Sequence, residues 1–309
     1  MTRTRTWRPA VAGPLLIALI GFASLRLAGQ TYSSGQPLWP AFEGWERNDD
    51  GSFSFVFGYM NDNWEEEIDV PIGPDNALEP GGPDRGQPTH FQPRRNRFIF
   101  RVRVPKDWGQ KEMVWTLASR GTARKAFASL RTDLLIENVD IMSETGALGA
   151  GSSNPEIRAD KPPAITIVGP KALTAKVGQP VTLTAVVADD GVPKRRGGNP
   201  APRSADAPLV VRPPFRVTVG KNWGLHLAWF VYRGAGDVTF EPRQVKTWED
   251  TRPGANSPWA PGWAAPAAPT DGKYIATATF AAPGTYVLRA RADDGALTSD
   301  EEVTVTVSR

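Results

Sequence analysis

Phe53-Ser54-Phe55-Val56-Phe57 carries an aromatic ring at every second residue. Side chains alternate sides along an extended chain, so the three rings share one face, as a half-buried strand requires. Working outward, Phe98-Ile99-Phe100-Arg101-Val102-Arg103-Val104 repeats the alternation with arginine on the wet face. Together they predict strands at 52–59 and 97–104. Further short runs of Val, Ile, Thr, Phe and Tyr predict strands at 113–119, 125–130 and 134–139. A second series falls at 164–168, 181–188, 225–232, 238–240, 274–280, 285–292 and 302–307. The chain of 309 residues holds 30 Gly and 29 Pro, mostly between these runs, and nothing beyond residue 30 keeps a helical period. The fold class is therefore all-β.

GALGAGSSNPEIRADKPP, residues 146–163, has linker composition and divides the series into two β-sandwich domains in tandem, 40–145 and 164–309. The stretch 71–93 is too rich in Gly and Pro for regular structure and is expected to be functional or mobile; the long basic insertion 192–224 reads as mobile at its front, with a candidate strand at its back, 209–219. Residues 1–30 read as an N-terminal signal segment. Arg3, Arg5 and Arg8 precede an apolar stretch too short to cross a bilayer as a helix. Left uncleaved, it is an anchor and the chain's one expected membrane contact. Either way the rest is expected to be exported: periplasmic, at the cell surface or secreted.

Gly178-Gln179-Pro180-Val181-Thr182-Leu183-Thr184-Ala185 resembles the turn and second strand of bacterial immunoglobulin-like or PKD-type domains. Trp229 matches their core tryptophan, and Pro283-Gly284-Thr285-Tyr286-Val287-Leu288 is similar to their E–F corner, with Tyr286 at the tyrosine-corner position. The resemblance implies an immunoglobulin-like sandwich for the last half of the chain. It says little about function. The usual disulfide is absent, with Leu183 or Ala185 and Leu288 in its place.

Ala188-Asp189-Asp190-Gly191 and Ala292-Asp293-Asp294-Gly295 repeat one motif at the ends of two predicted strands. In an immunoglobulin-like sandwich the two following loops share one end, which gathers Asp189, Asp190, Asp293 and Asp294. Three uses are open: turn chemistry, pairing with Arg195 and Arg196, or a calcium ion held by carboxylate oxygens. Arg195 and Arg196 belong to the basic insertion and are also candidates for partner binding, as is His90 in the first long loop. Trp248, Trp259 and Trp263 lie in KTWEDTRPGANSPWAPGWAAPAAP, residues 246–269, where loop tryptophans either stack on sugars and partners or pack under their own loop.

The full chain has 36 Lys and Arg, 33 Asp and Glu, two His and no Cys. No Cys excludes thiol catalysis and disulfide frameworks, and two His argue against a multi-histidine metal centre. No nucleophile elbow, phosphate loop or His-Glu-x-x-His is present, and no nucleic-acid-binding motif appears. Glu65-Glu66-Glu67 reads as a solvated acidic turn rather than a glycosidase pair. The expected function is a non-catalytic binding or structural module acting through sandwich-end loops. Its partner is an envelope or surface protein, a polysaccharide or a second copy. The alternative is a carbohydrate-binding or hydrolytic accessory protein using the Trp248, Trp259 and Trp263 loop.

Overall fold

The computed structural model describes residues 32–145, 154–194 and 220–309; the leader, Arg195, Arg196 and the candidate strand 209–219 lie outside them. The first sandwich is built from β1 (Leu38–Arg47), β2 (Phe53–Asn61), β3 (Ile68–Asp69), β4 (Asn76–Glu79), β5 (His90–Phe91), β6 (Arg94–Val104), β7 (Met113–Ser119) and β8 (Thr122–Ala128). Sheet β1-β2-β6 faces sheet β4-β7-β8, while β3 and β5 pair at the side. Phe55, Phe57, Phe100 and Val102 bury the alternating face legible in the sequence against Met113, Trp115 and Leu117. Phe57 stacks on Phe100 and meets Trp115 edge-on. The β7–β8 hairpin turns at Arg120-Gly121, both with positive φ, the conformation that matches the strand twist.

Three local readings change. Residues 134–139 form no strand: a 3-10 turn at Thr132–Leu134 is followed by helix α1 (Asn138–Glu144). Glu137 and Asp140 form a reciprocal capping box that starts α1. The unpredicted β1 contains Pro40 and Gly44. It tolerates both because it is an edge strand with a bulge between Phe42 and Gly44. The expected loop 71–93 carries β4 and β5, and buried Asn76 anchors it by donating to the carbonyls of Val70 and Pro88.

A short helix α2 (Pro155–Arg158) precedes the second sandwich. That sandwich comprises β9 (Ala164–Ile167), β10 (Ala172–Lys176), β11 (Val181–Ala188), β12 (His226–Arg233), β13 (Val238–Glu241), β14 (Lys273–Phe280), β15 (Gly284–Asp293) and β16 (Thr298–Ser308). Sheet β13-β14-β11-β9 packs on sheet β10-β16-β15-β12, with β10 parallel to β16. This is an immunoglobulin-like sandwich. Trp229, Leu183, Ala185 and Leu288 all sit in its core. The Tyr286 hydroxyl lies 2.9 Å from the carbonyl oxygen of Ala282, four residues upstream, as the tyrosine corner requires.

β12 is buried on both faces. Leu227, Trp229 and Val231 point into its own sandwich, while Phe230 and Tyr232 join the core of the first. The first sandwich also covers the edge of β12. The Thr89 amide donates to the Tyr232 carbonyl at 3.2 Å, Arg233 Nε donates to the Gln87 carbonyl at 2.8 Å, and Arg233 pairs with Asp84. Arg289 adds a hydrogen bond to the Ile99 carbonyl while lying over the Tyr232 ring. Tyr32–Arg309 is accordingly one compact unit.

Candidate functional site

The two Asp-Asp-Gly motifs fold alike. Asp189 accepts from the Gly191 amide and Asp190 from Val192. Asp293 accepts from Gly295 and Asp294 from Ala296 and Leu297. Each pair thus closes its own turn. The four carboxylates do not converge into one group. Asp293 is taken by the buried Lys221 at 2.7 Å. Burial opposes its ionisation, but Lys221 and His226 hold its carboxyl below the usual range. Asp294 goes the other way: burial and the Asp293 charge push it up to about 8. Among the described residues no three Asp, Glu or His side chains stand in a ready metal cage.

Asp160 was missed by the sequence reading. It follows α2 and lies near Asp189 and Asp190, whose charges add to burial in raising it to about 7. Its signal in the sequence was weak, one of two acids, with Glu156, inside a linker-like stretch. Lys221 was counted only as one more charge of the basic insertion.

His90 stands at the start of β5 with both ring nitrogens engaged: Nδ1 is 2.8 Å from Asp69 and Nε2 is 3.0 Å from Glu67. Burial disfavours its charge, but the two carboxylates outweigh that and raise it to about 9. A charged imidazole is a donor only, so His90 at neutral pH is neither a general base nor a metal ligand. Glu65, Glu66 and Glu67 go to Arg252, Arg120 and His90 respectively, so no two of them face each other across a cleft.

His90 and Trp248, far apart in sequence, line the same groove of 380 Å³ between the sandwiches. Its other walls include Glu67, Gln92, Phe240 and Arg243. The Trp248 indole N–H is buried with no acceptor. Arg243 is exposed at the rim. Trp259 and Trp263 are half-buried elsewhere in their loop: Lys221 sits over the Trp259 ring, and Trp263 donates to Asn256 and meets His226 edge-on. They form no exposed coplanar platform.

No protein-family model matches the chain, and no curated protein matches it. Among solved structures, a chimeric titin Z1Z2 carrying a decorin peptide is 10% identical over 89% of this chain and 100% of its own, with a TM-score of 0.22. The D00-D0 domain of intimin is 10% identical over 87% of this chain and 100% of its own, at 0.23. The fibronectin(III)-like modules of Clostridium thermocellum CbhA are 8% identical over 88% of this chain and 94% of their own, at 0.22. Scores this low carry no argument about function; the fold rests on the sheet topology above. No helix among the described residues is long and apolar enough to cross a membrane.

Proposed function

We propose that this chain is an exported, non-catalytic binding module that holds a protein partner in the groove between its two sandwiches. The observation that carries the reading is the meeting of His90, at the start of β5 in the first sandwich, and Trp248, from a loop of the second, in one groove. The docking of β12 against the first sandwich supports it, because walls fixed to one another lose little entropy on binding. A lining that mixes aromatic and aliphatic side chains with Gln92, Gln244, Arg243 and Lys246 suits a peptide segment of an envelope or surface protein. The locked state of His90 argues against acid–base catalysis.

The immobilised full chain, offered solubilised envelope proteins and envelope polysaccharide separately, is expected to retain a protein saturably. Arg243→Glu, at an exposed rim position, should weaken that retention about tenfold, the effect of losing one charge-assisted contact. Retention of polysaccharide instead, or ester, glycoside or peptide hydrolysis that disappears in His90→Gln, overturns the reading.

A further inference from the structure

β12 and β13 stand at the ends of their sheets, and both line the groove described above. A main-chain bond from the first sandwich reaches β12 at its far end, where Thr89 donates to Tyr232. Upstream, the Trp229 amide turns away from β15 and donates to Gln244 Oε1 at 2.9 Å. Trp229–Ala290 is therefore a non-hydrogen-bonded pair of the β12–β15 ladder. Pair types alternate along antiparallel strands, so Val231–Leu288, two residues on, is of the same kind. The amide and carbonyl of Val231 thus point outward from the sheet edge, beside the groove that Val231 lines. Among the described residues no other segment bonds to them.

The groove walls leave donors over and few acceptors. The Trp248 indole N–H is buried without an acceptor. Arg243 pairs with no carboxylate among the described residues. The acceptors are engaged: Gln92 Oε1 by the Thr247 hydroxyl, Gln244 Oε1 by the Trp229 amide, and Glu67 by His90. A buried donor without an acceptor costs free energy, so these walls favour a segment that brings oxygens. Phe240, Val245 and the Trp248 ring add an apolar wall.

We propose that the partner's segment in this groove is an extended, acidic peptide that adds a strand to the free edge of β12. Its main chain takes the amide and carbonyl of Val231. Its alternate side chains set an apolar row against Phe240, Val245 and Trp248 and a carboxylate beside Arg243. Gln244 closes the edge one pair upstream, so the added strand is short and centred on Val231. This rests on the groove reading above and names what fills the groove.

Random octapeptides displayed on phage and panned against the immobilised full chain test it. Enriched sequences should carry Asp or Glu beside Val, Ile or aromatic residues and bind one per chain by fluorescence anisotropy. N-methylation of alternate residues in an enriched peptide removes amide donors while keeping the side chains. One of the two registers should weaken binding about tenfold or more and the other little, because only one edge of an added strand faces β12. Arg243→Glu should turn the enriched pool basic, while Lys125→Glu, exposed on β8, should leave it acidic. A basic or uncharged pool from the unaltered chain, an acidic pool from Arg243→Glu, or equal effects of the two registers overturns the strand addition. So does a lack of any enrichment while envelope protein is still retained, and in each of these cases the groove reading stands. Loss of envelope-protein retention as well overturns both.

Discussion

The two Asp-Asp-Gly loops have the same sequence and the same pair of side-chain-capped turns, yet they live in different dielectrics. The loop at 189–191 is half-buried to exposed, while Asp293 and Asp294 are almost wholly enclosed. In the second loop one carboxylate is held ionised by Lys221 and its neighbour is pushed toward the neutral form. A motif sets the turn; what surrounds it sets the charge.

The strongest way to break this contrast is at Asp293. Asp293→Ala should lose about 3–5 kcal/mol in urea unfolding, because it strands a buried Lys221. Asp189→Ala should lose under about 1 kcal/mol, the value of an ordinary turn bond. Pairing Lys221→Met with Asp293→Leu should restore most of the loss, since well-packed apolar groups replace buried ion pairs at little cost. Equal losses at Asp293 and Asp189 would mean that burial does not separate the loops.

The glycines give the next test. Gly295 has φ +107°, and a Cβ there would come within 2.5 Å of the Trp223 backbone, whereas Gly191, at φ +82°, has nothing within 4 Å. Gly295→Ala should therefore cost about 3 kcal/mol and Gly191→Ala about 1, the price of positive φ alone. Similar unfolding midpoints for the two variants would refute the packing account.

His90 sharpens the comparison at the smallest scale, being a buried cation whose two carboxylate partners are partly exposed. Its folded pKa lies above the ordinary imidazole value of 6.5, at about 9. Its contribution is therefore complete below pH 6.5 and lost as pH rises through 9. After allowance for solvent screening it should amount to about 1–2 kcal/mol. Unfolding measured from pH 6 to 10 should show that decline, and His90→Gln should flatten it.

Strand readings drawn from alternation, such as Phe53 to Phe57 and Phe98 to Val104, matched observed strands because a sheet with one wet face writes its period into the sequence. β1 was hidden by Pro40 and Gly44, which only an edge position makes acceptable. The candidate site was less legible. Trp248 and His90 were both singled out, but nothing local says that they share a groove. Asp160 gave only a weak signal, because its raised pKa comes from burial and from carboxylates contributed by another loop.

The sequence by itself determined the all-β class. Its resemblance to immunoglobulin-like domains pointed to the second sandwich, and turn chemistry was one of the uses it left open for the Asp-Asp-Gly motifs. Each signal depends on residues near one another in the chain. Tertiary structure alone decided that β12 serves two cores, that Lys221 belongs to Asp293, and that the charges of Asp189 and Asp190 reach Asp160. Those outcomes turn on burial and on charges brought together from distant segments, and Coulomb interactions depend on distance in space rather than on separation along the chain.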